Sequence, residues 1–138
     1  MTDGTSDAQP RRAKQVIVMR KDLNMRKGKM IAQGAHASLK VFLDRRAATA
    51  ADDAFTFSLT APMREWLGGR FAKICVYVTS EAELHGVVER ARAAGLPCAL
   101  VVDAGHTEFH GVPTPTCCAV GPAWVEDVDA VTGALPLL

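Results

Sequence analysis

The sequence predicts an α/β fold: a single domain in which helices flank a four-stranded mixed β-sheet. Three observations carry this. The chain has 138 residues, enough to build one core. Short apolar, β-branched runs alternate with segments of helical period. A strand, a helix of about 14 residues and then another strand imply a crossover connection and at least two parallel strands. The last two are joined by a loop too short for a helix, so the final strand pairs antiparallel.

The segment 1–13 is small, polar and without periodicity, with Pro10, and is expected to be disordered. A domain is expected over 14–138. It opens with Gln15–Arg20, an apolar run suited to a buried strand. A polar, basic connection over Lys21–Gly28 leads into a helix over about Lys29–Arg46. Ile31, Ala35, Leu39 and Phe42 recur at helical spacing and are expected to form its buried face. Lys29, Gln33, His36 and Lys40 recur on a second, polar face.

Residues 47–70 carry weaker signals. A short helix over Pro62–Leu67 is expected, with Pro62 in its first turn. Ala72–Val78 reads as the second strand. Ser80 and Glu83 form a capping box ahead of a helix whose stripe is Leu84, Val87, Val88 and Ala91, ended at Gly95. Leu96–Val102 is the third strand, with Pro97 tolerated at its start. Asp103–Pro115 is a loop, Thr116–Val120 a short last strand broken by Gly121–Pro122, and Val125–Thr132 a closing helix ended at Gly133.

Composition narrows the class. The chain is 49% hydrophobic and 22% charged, as globular domains are. No apolar run approaches the roughly 20 residues that span a bilayer, and the first ten residues hold no apolar signal core, so a cytoplasmic location is expected. The four cysteines lack the paired spacing of a zinc site and read as buried free thiols. The net charge of +1 conceals an asymmetry: residues 1–46 hold eleven Lys+Arg and four Asp+Glu, and residues 47–138 hold five and eleven. The basic front end would attract phosphate, or is merely a solvated surface.

Three clusters could carry chemistry. Arg26-Lys27-Gly28-Lys29 stands where the connection becomes a helix. There unpaired amides and the positive dipole end receive anions, although a solvated basic turn would look the same. His36 shares a helix face with Lys29 and Gln33; imidazole is suited to proton transfer, but a helix histidine is also often structural. Asp103-Ala-Gly-His-Thr107 directly follows a strand, where α/β proteins place ligands. Asp103 could orient a partner, with Thr107 and Thr116 supplying hydroxyls, or the segment is an Asx turn using Gly105. His106 and His110 lack a third ligand at metal spacing, so no metal is expected. No nucleophile elbow is present, so a covalent mechanism has no candidate.

Val16–Ala37, with its Asp-Leu-x-Met-x-Lys-Gly-Lys and Ala-Gln-x-x-His-Ala patterns, resembles the opening of the archaeal and eukaryotic type of peptidyl-tRNA hydrolases. Asp103–Thr107 is similar to their Asp-Ala-Gly-x-Thr loop, and Val120–Pro122 with Asp129–Gly133 to their closing segment. The resemblance covers about residues 14–138. It implies a mixed four-stranded sheet, no cofactor, a homodimer, and hydrolysis of the ester joining a peptide to the 3′ ribose of tRNA. The implied catalytic residues are Lys29, His36, Asp103, Thr107 and Thr116, with Arg26, Lys27 and Gln33 on the substrate. The sequence departs at Glu108–Pro115, one residue longer than the family loop and with Glu108 where a neutral amide is usual. Tyr77, Ala134 and Pro136 also replace polar or basic residues. Water is expected to attack the ester, with His36 or Asp103 as base and Lys29 stabilising the oxyanion. A non-catalytic tRNA- or protein-binding module on the same fold is the rival, and a hydrolase for another small ester the third reading.

Overall fold

The computed structural model describes residues 10–48, 51–106 and 108–138. The elements run β1 (Ala13–Arg20), α1 (Lys27–Leu43), α2 (Ala61–Gly68), β2 (Lys73–Val78), α3 (Glu81–Ala93), β3 (Cys98–Asp103), β4 (Thr114–Trp124) and α4 (Val125–Thr132). The sheet order is β2-β1-β4-β3. β1 and β2 are parallel, and β4 is antiparallel to both β1 and β3. The expected element order and the mixed sheet are therefore observed. Among the described residues, no helix is long and apolar enough to cross a membrane.

Both faces of the sheet are covered because β1 alternates between two cores. Ile17 and Met19 face α1 and α2, together with Ala37, Val41, Phe42, Met63, Trp66 and Cys117. Val16 and Val18 face α3 and α4, together with Val76, Leu84, Val87 and Val128. α3 begins as the sequence predicts: Ser80 Oγ accepts from the Glu83 amide, while Glu83 reaches back to the amide and hydroxyl of Thr79. It ends in a Schellman turn, with Leu96 N bonded to Ala91 O and Gly95 N to Arg92 O, Gly95 taking φ 74°. α2 is capped by the Thr60 side chain, with Pro62 in its first turn.

Four expectations need correction. The buried face of α1 is not the stripe Ile31-Ala35-Leu39. Ile31 and Leu39 are 72% and 57% exposed, and Ala35 is exposed too. The helix lies on the sheet through Gln33, Gly34, Ala37, Val41 and Phe42. Small Gly34 and Ala37 let its backbone approach; a Cβ at Gly34 would already touch Ile17. Second, Gly121–Pro122 does not break the last strand. β4 continues to Trp124 through a cis peptide and a register shift opposite Lys14–Val16. Gly121 fits because its φ is 92° and a Cβ there would stand 2.6 Å from Lys14 O. Third, Cys75 is exposed, although Cys117 and Cys118 are buried and Cys98 is intermediate. The α1 side of β2 is left partly open, whereas burial pushes the Cys117 thiol up to about 11. Fourth, part of the segment 1–13 is held: Arg11 pairs with Glu126, Arg12 O accepts from Val125 N, and Ala13 opens β1. Residues 1–9 lie outside the described residues.

The chain also guards the outer edge of β2. Pro136–Leu138 runs beside it, with Tyr77 N bonded to Pro136 O and Leu138 N to Cys75 O. The tail thus occupies the unpaired backbone groups that an edge strand otherwise offers to another chain.

Candidate active site

The site forms where the first turn of α1 passes the end of β3. Lys29 Nζ donates to Asp103 Oδ1 at 2.7 Å, joining residues 74 positions apart. The two side chains are only 15% and 13% exposed, so this pair is better shielded from solvent than a surface ion pair. Asp103 Oδ2 accepts from the Gly105 amide at 2.8 Å. This is the Asx turn that the sequence allows, and Gly105 has φ 88°. A Cβ at Gly105 would stand 2.4 Å from Val112 O. One oxygen of Asp103 thus builds the turn and the other holds Lys29. The Lys29 hydrogen bond is the largest influence holding the Asp103 carboxyl below its ordinary value; the Gly105 amide and the charges of Lys29 and His106 act in the same direction, and burial opposes them.

Behind this pair lies a buried relay. Thr116 is fully buried in β4, and its hydroxyl donates to Gln33 Oε1 at 2.5 Å. Gln33 Nε2 points back to Asp103 Oδ1 at 3.5 Å, and Gln33 itself is only 7% exposed. Thr116, Gln33, Asp103 and Lys29 thus form one connected series across β4, α1 and β3. A buried amide is stabilised only when its donor and acceptor are both used. The hydroxyl of Thr116 fixes which way the Gln33 amide faces.

The other expected residues fall outside this series. His36 lies on the same side of α1 as Gln33, one turn further along, and is exposed. About 10 Å of helix axis separates it from Lys29. Arg26 is the N-cap residue of α1 and is 91% exposed. Lys27, two residues from Lys29 and so on roughly the opposite side of the helix, lines an apolar groove with Ile31, Cys75 and Leu138. Thr107 lies outside the described residues. Among the described residues, no group of three or more His, Cys, Asp or Glu is placed to hold a metal ion.

Two supporting residues were not singled out from the sequence. Arg20, 8% exposed, donates to Asp22 and to Pro115 O. It ties the connection before α1 to the chain next to Thr116, and its hydrogen bond is the chief cause that lowers the Asp22 carboxyl. The available signal was an arginine closing an otherwise apolar strand run, since such a charge needs partners. Phe109 packs against the core on the α1 side and places its ring 5.9 Å from Lys29 Nζ.

The arrangement offers an ammonium held in place at the open end of a sheet, a carboxylate whose two oxygens are engaged, and an exposed imidazole along the same helix. This suits polarising a carbonyl and positioning water. The model of the family Peptidyl-tRNA hydrolase PTH2 matches residues 13–138. The chain is 43% identical over 127 residues to a peptidyl-tRNA hydrolase of Methanocaldococcus jannaschii, a match covering 91% of this chain and 99% of the relative. It is 42% identical over 124 residues to one of Haloquadratum walsbyi, covering 90% and 98%, and 36% identical over 125 residues to one of Metallosphaera sedula, covering 91% and 99%.

Proposed function

This chain belongs to the PTH2 family of peptidyl-tRNA hydrolases, and we propose that the Lys29–Asp103 pair is the centre at which it cleaves its substrate. The protein is a peptidyl-tRNA hydrolase: it hydrolyses the ester between a peptide and the 3′ ribose of tRNA. The observation that carries the proposal for the site is the shielded ion pair at the end of β3, backed by Gln33 and Thr116.

Water attacks the ester carbonyl, the carbon–oxygen bond to the ribose breaks, and a proton passes to the departing ribose hydroxyl. Lys29 stabilises the oxyanion, because an ammonium held beforehand needs little reorganisation as charge develops. Asp103 holds Lys29 in position. Its carboxylate has both oxygens engaged and a lowered proton affinity, which suits it poorly to taking a proton from water. His36 is therefore the base in this reading, and Thr107 adds a hydroxyl to the same loop. Gln33 and Thr116, both buried, act as positioning residues, while Arg26 and Lys27 meet tRNA phosphates. The product is free tRNA for reuse, as in clearing peptides from stalled ribosomes, and a cytoplasmic location follows from that substrate.

The experiment is a single turnover of N-acetyl-aminoacyl-tRNA in ¹⁸O-labelled water, with wild type and His36→Ala. Label should enter the released acid and not the recovered enzyme, and His36→Ala should slow release by about a hundredfold. Label in the enzyme would overturn direct attack by water, and full activity of His36→Ala would remove His36 as the base. Binding of tRNA with no release would instead match the non-catalytic module.

We also propose that two copies pair through α1. The exposed stripe Ile31-Ala35-Leu39 is symmetric about Ala35, with a large apolar residue four positions to either side. A two-fold axis at Ala35 would set Ile31 of one copy against Leu39 of the other, a self-complementary contact. The stripe borders an apolar groove of about 640 Å³ that also includes Leu67 and Phe71 of the α2 end.

A further inference from the structure

We propose that Glu108 competes with tRNA phosphate for Arg26 and so sets how tightly this enzyme holds its substrate. The inference rests on the reading of Arg26 as a phosphate contact. Glu108 Oε1 lies 3.9 Å from Arg26 Nε, across the mouth of the site. The two residues differ in exposure: the Glu108 side chain is 21% exposed and that of Arg26 91%. Glu108 is held by its loop. Gly111 N bonds to Gly105 O and Val112 N to Phe109 O, and Phe109, the next residue, is packed into the core. The Arg26 side chain stands almost wholly in solvent.

The electrostatics of this spot favour an anion. Arg26 is the N-cap residue of α1, no side chain caps that helix end, and its first turn holds no acidic residue. The positive end of the helix dipole attracts negative charge, and the Glu108 carboxylate approaches the side chain of its N-cap residue. A phosphate oxygen would seek the same arginine and the same helix end. At 3.9 Å and largely in solvent on the arginine side, the Arg26–Glu108 pair is weak enough to be exchanged. Each substrate must therefore displace the carboxylate from Arg26 and tolerate its charge nearby. Lys29 is matched by Asp103, so Glu108 is a second carboxylate at this rim. The chemistry does not use it, and it acts on affinity.

The test compares wild type, Glu108→Gln, Arg26→Gln and the double variant in hydrolysis of N-acetyl-aminoacyl-tRNA at several salt concentrations. Glu108→Gln should lower KM about two- to fivefold at low salt, leave kcat unchanged, and steepen the dependence of log KM on log salt by roughly 0.7 to 0.9. Arg26→Gln should raise KM, and in its presence Glu108→Gln should have no further effect. If Arg26→Gln raises KM while Glu108→Gln leaves KM and its salt dependence unchanged, competition is overturned and the phosphate contact stands. If Glu108→Gln lowers kcat and the melting temperature together, Glu108 is a loop brace and the proposal also falls. If Arg26→Gln has no effect on KM, the phosphate contact fails and takes the inference with it.

Discussion

The carboxylate of Asp103 divides its two oxygens between a turn and a lysine, Oδ2 to the Gly105 amide and Oδ1 to Lys29. The turn was legible because Asp and Gly stand two apart, and local geometry needs only local sequence. The lysine partner was not legible from spacing, since 74 positions separate the two. Gln33 is harder still: it sits on a helix face that reads as polar, yet it is buried by Thr116, 83 positions away. A side chain that satisfies a buried amide across such a distance leaves no periodic trace. Thr116→Val tests this relay. It keeps the shape and removes the hydroxyl, leaving the Gln33 oxygen unsatisfied at a cost of about 1–3 kcal/mol. The amide can then turn, and Asp103 and Lys29 lose their backing. We expect kcat to fall by about tenfold or more with little change in KM; an equal change in denaturation midpoint with full kcat would make Thr116 purely structural.

Helix caps and helix ends follow their local signals closely, because Ser80, Gly95 and Thr60 act within one or two turns of their partners. The packed face of α1 does not follow the hydrophobic stripe. Gly34 and Ala37 win the sheet because they permit close approach, and the larger Ile31 and Leu39 are left outside. The Lys29–Asp103 pair then fastens the start of α1 to the end of β3. Because the folded-state pKa of Asp103 is depressed, the contribution of this pair is present above the unfolded carboxylate value and is lost as pH falls through the folded one. Lys29→Met should therefore be less stable than wild type near neutrality, by about 1–3 kcal/mol. The gap should close in acid, below the ordinary carboxylate range. Urea denaturation across pH measures it, and a gap that persists or widens in acid would contradict the ion-pair assignment.

Across the molecule, the basic front end and the acidic remainder meet at the site: α1 brings Arg26 and Lys29, and the loop after β3 brings Asp103 and Glu108. The asymmetry of charge was visible in the sequence, but which charges face each other was set by the crossover. The exposed side of α1 and the open face of β2, where Cys75 shows, were not foreseen, because helical period alone assigns an apolar stripe to a core without saying whose. On the pairing proposed through Ala35, Leu39→Glu should convert a dimer to a monomer in sedimentation velocity while leaving the circular dichroism spectrum native. A wild type that sediments as a monomer at micromolar concentration would contradict that pairing.

The most direct measurement of the central claim is the rate of acyl release from N-acetyl-aminoacyl-tRNA by Asp103→Asn. The amide keeps the shape and the Gly105 contact but cannot hold the Lys29 ammonium by charge. Release slowed by at least about a hundredfold in a natively folded variant, with tRNA still bound, is the predicted result. Release at the wild-type rate would contradict the claim that the Lys29–Asp103 pair is the catalytic centre.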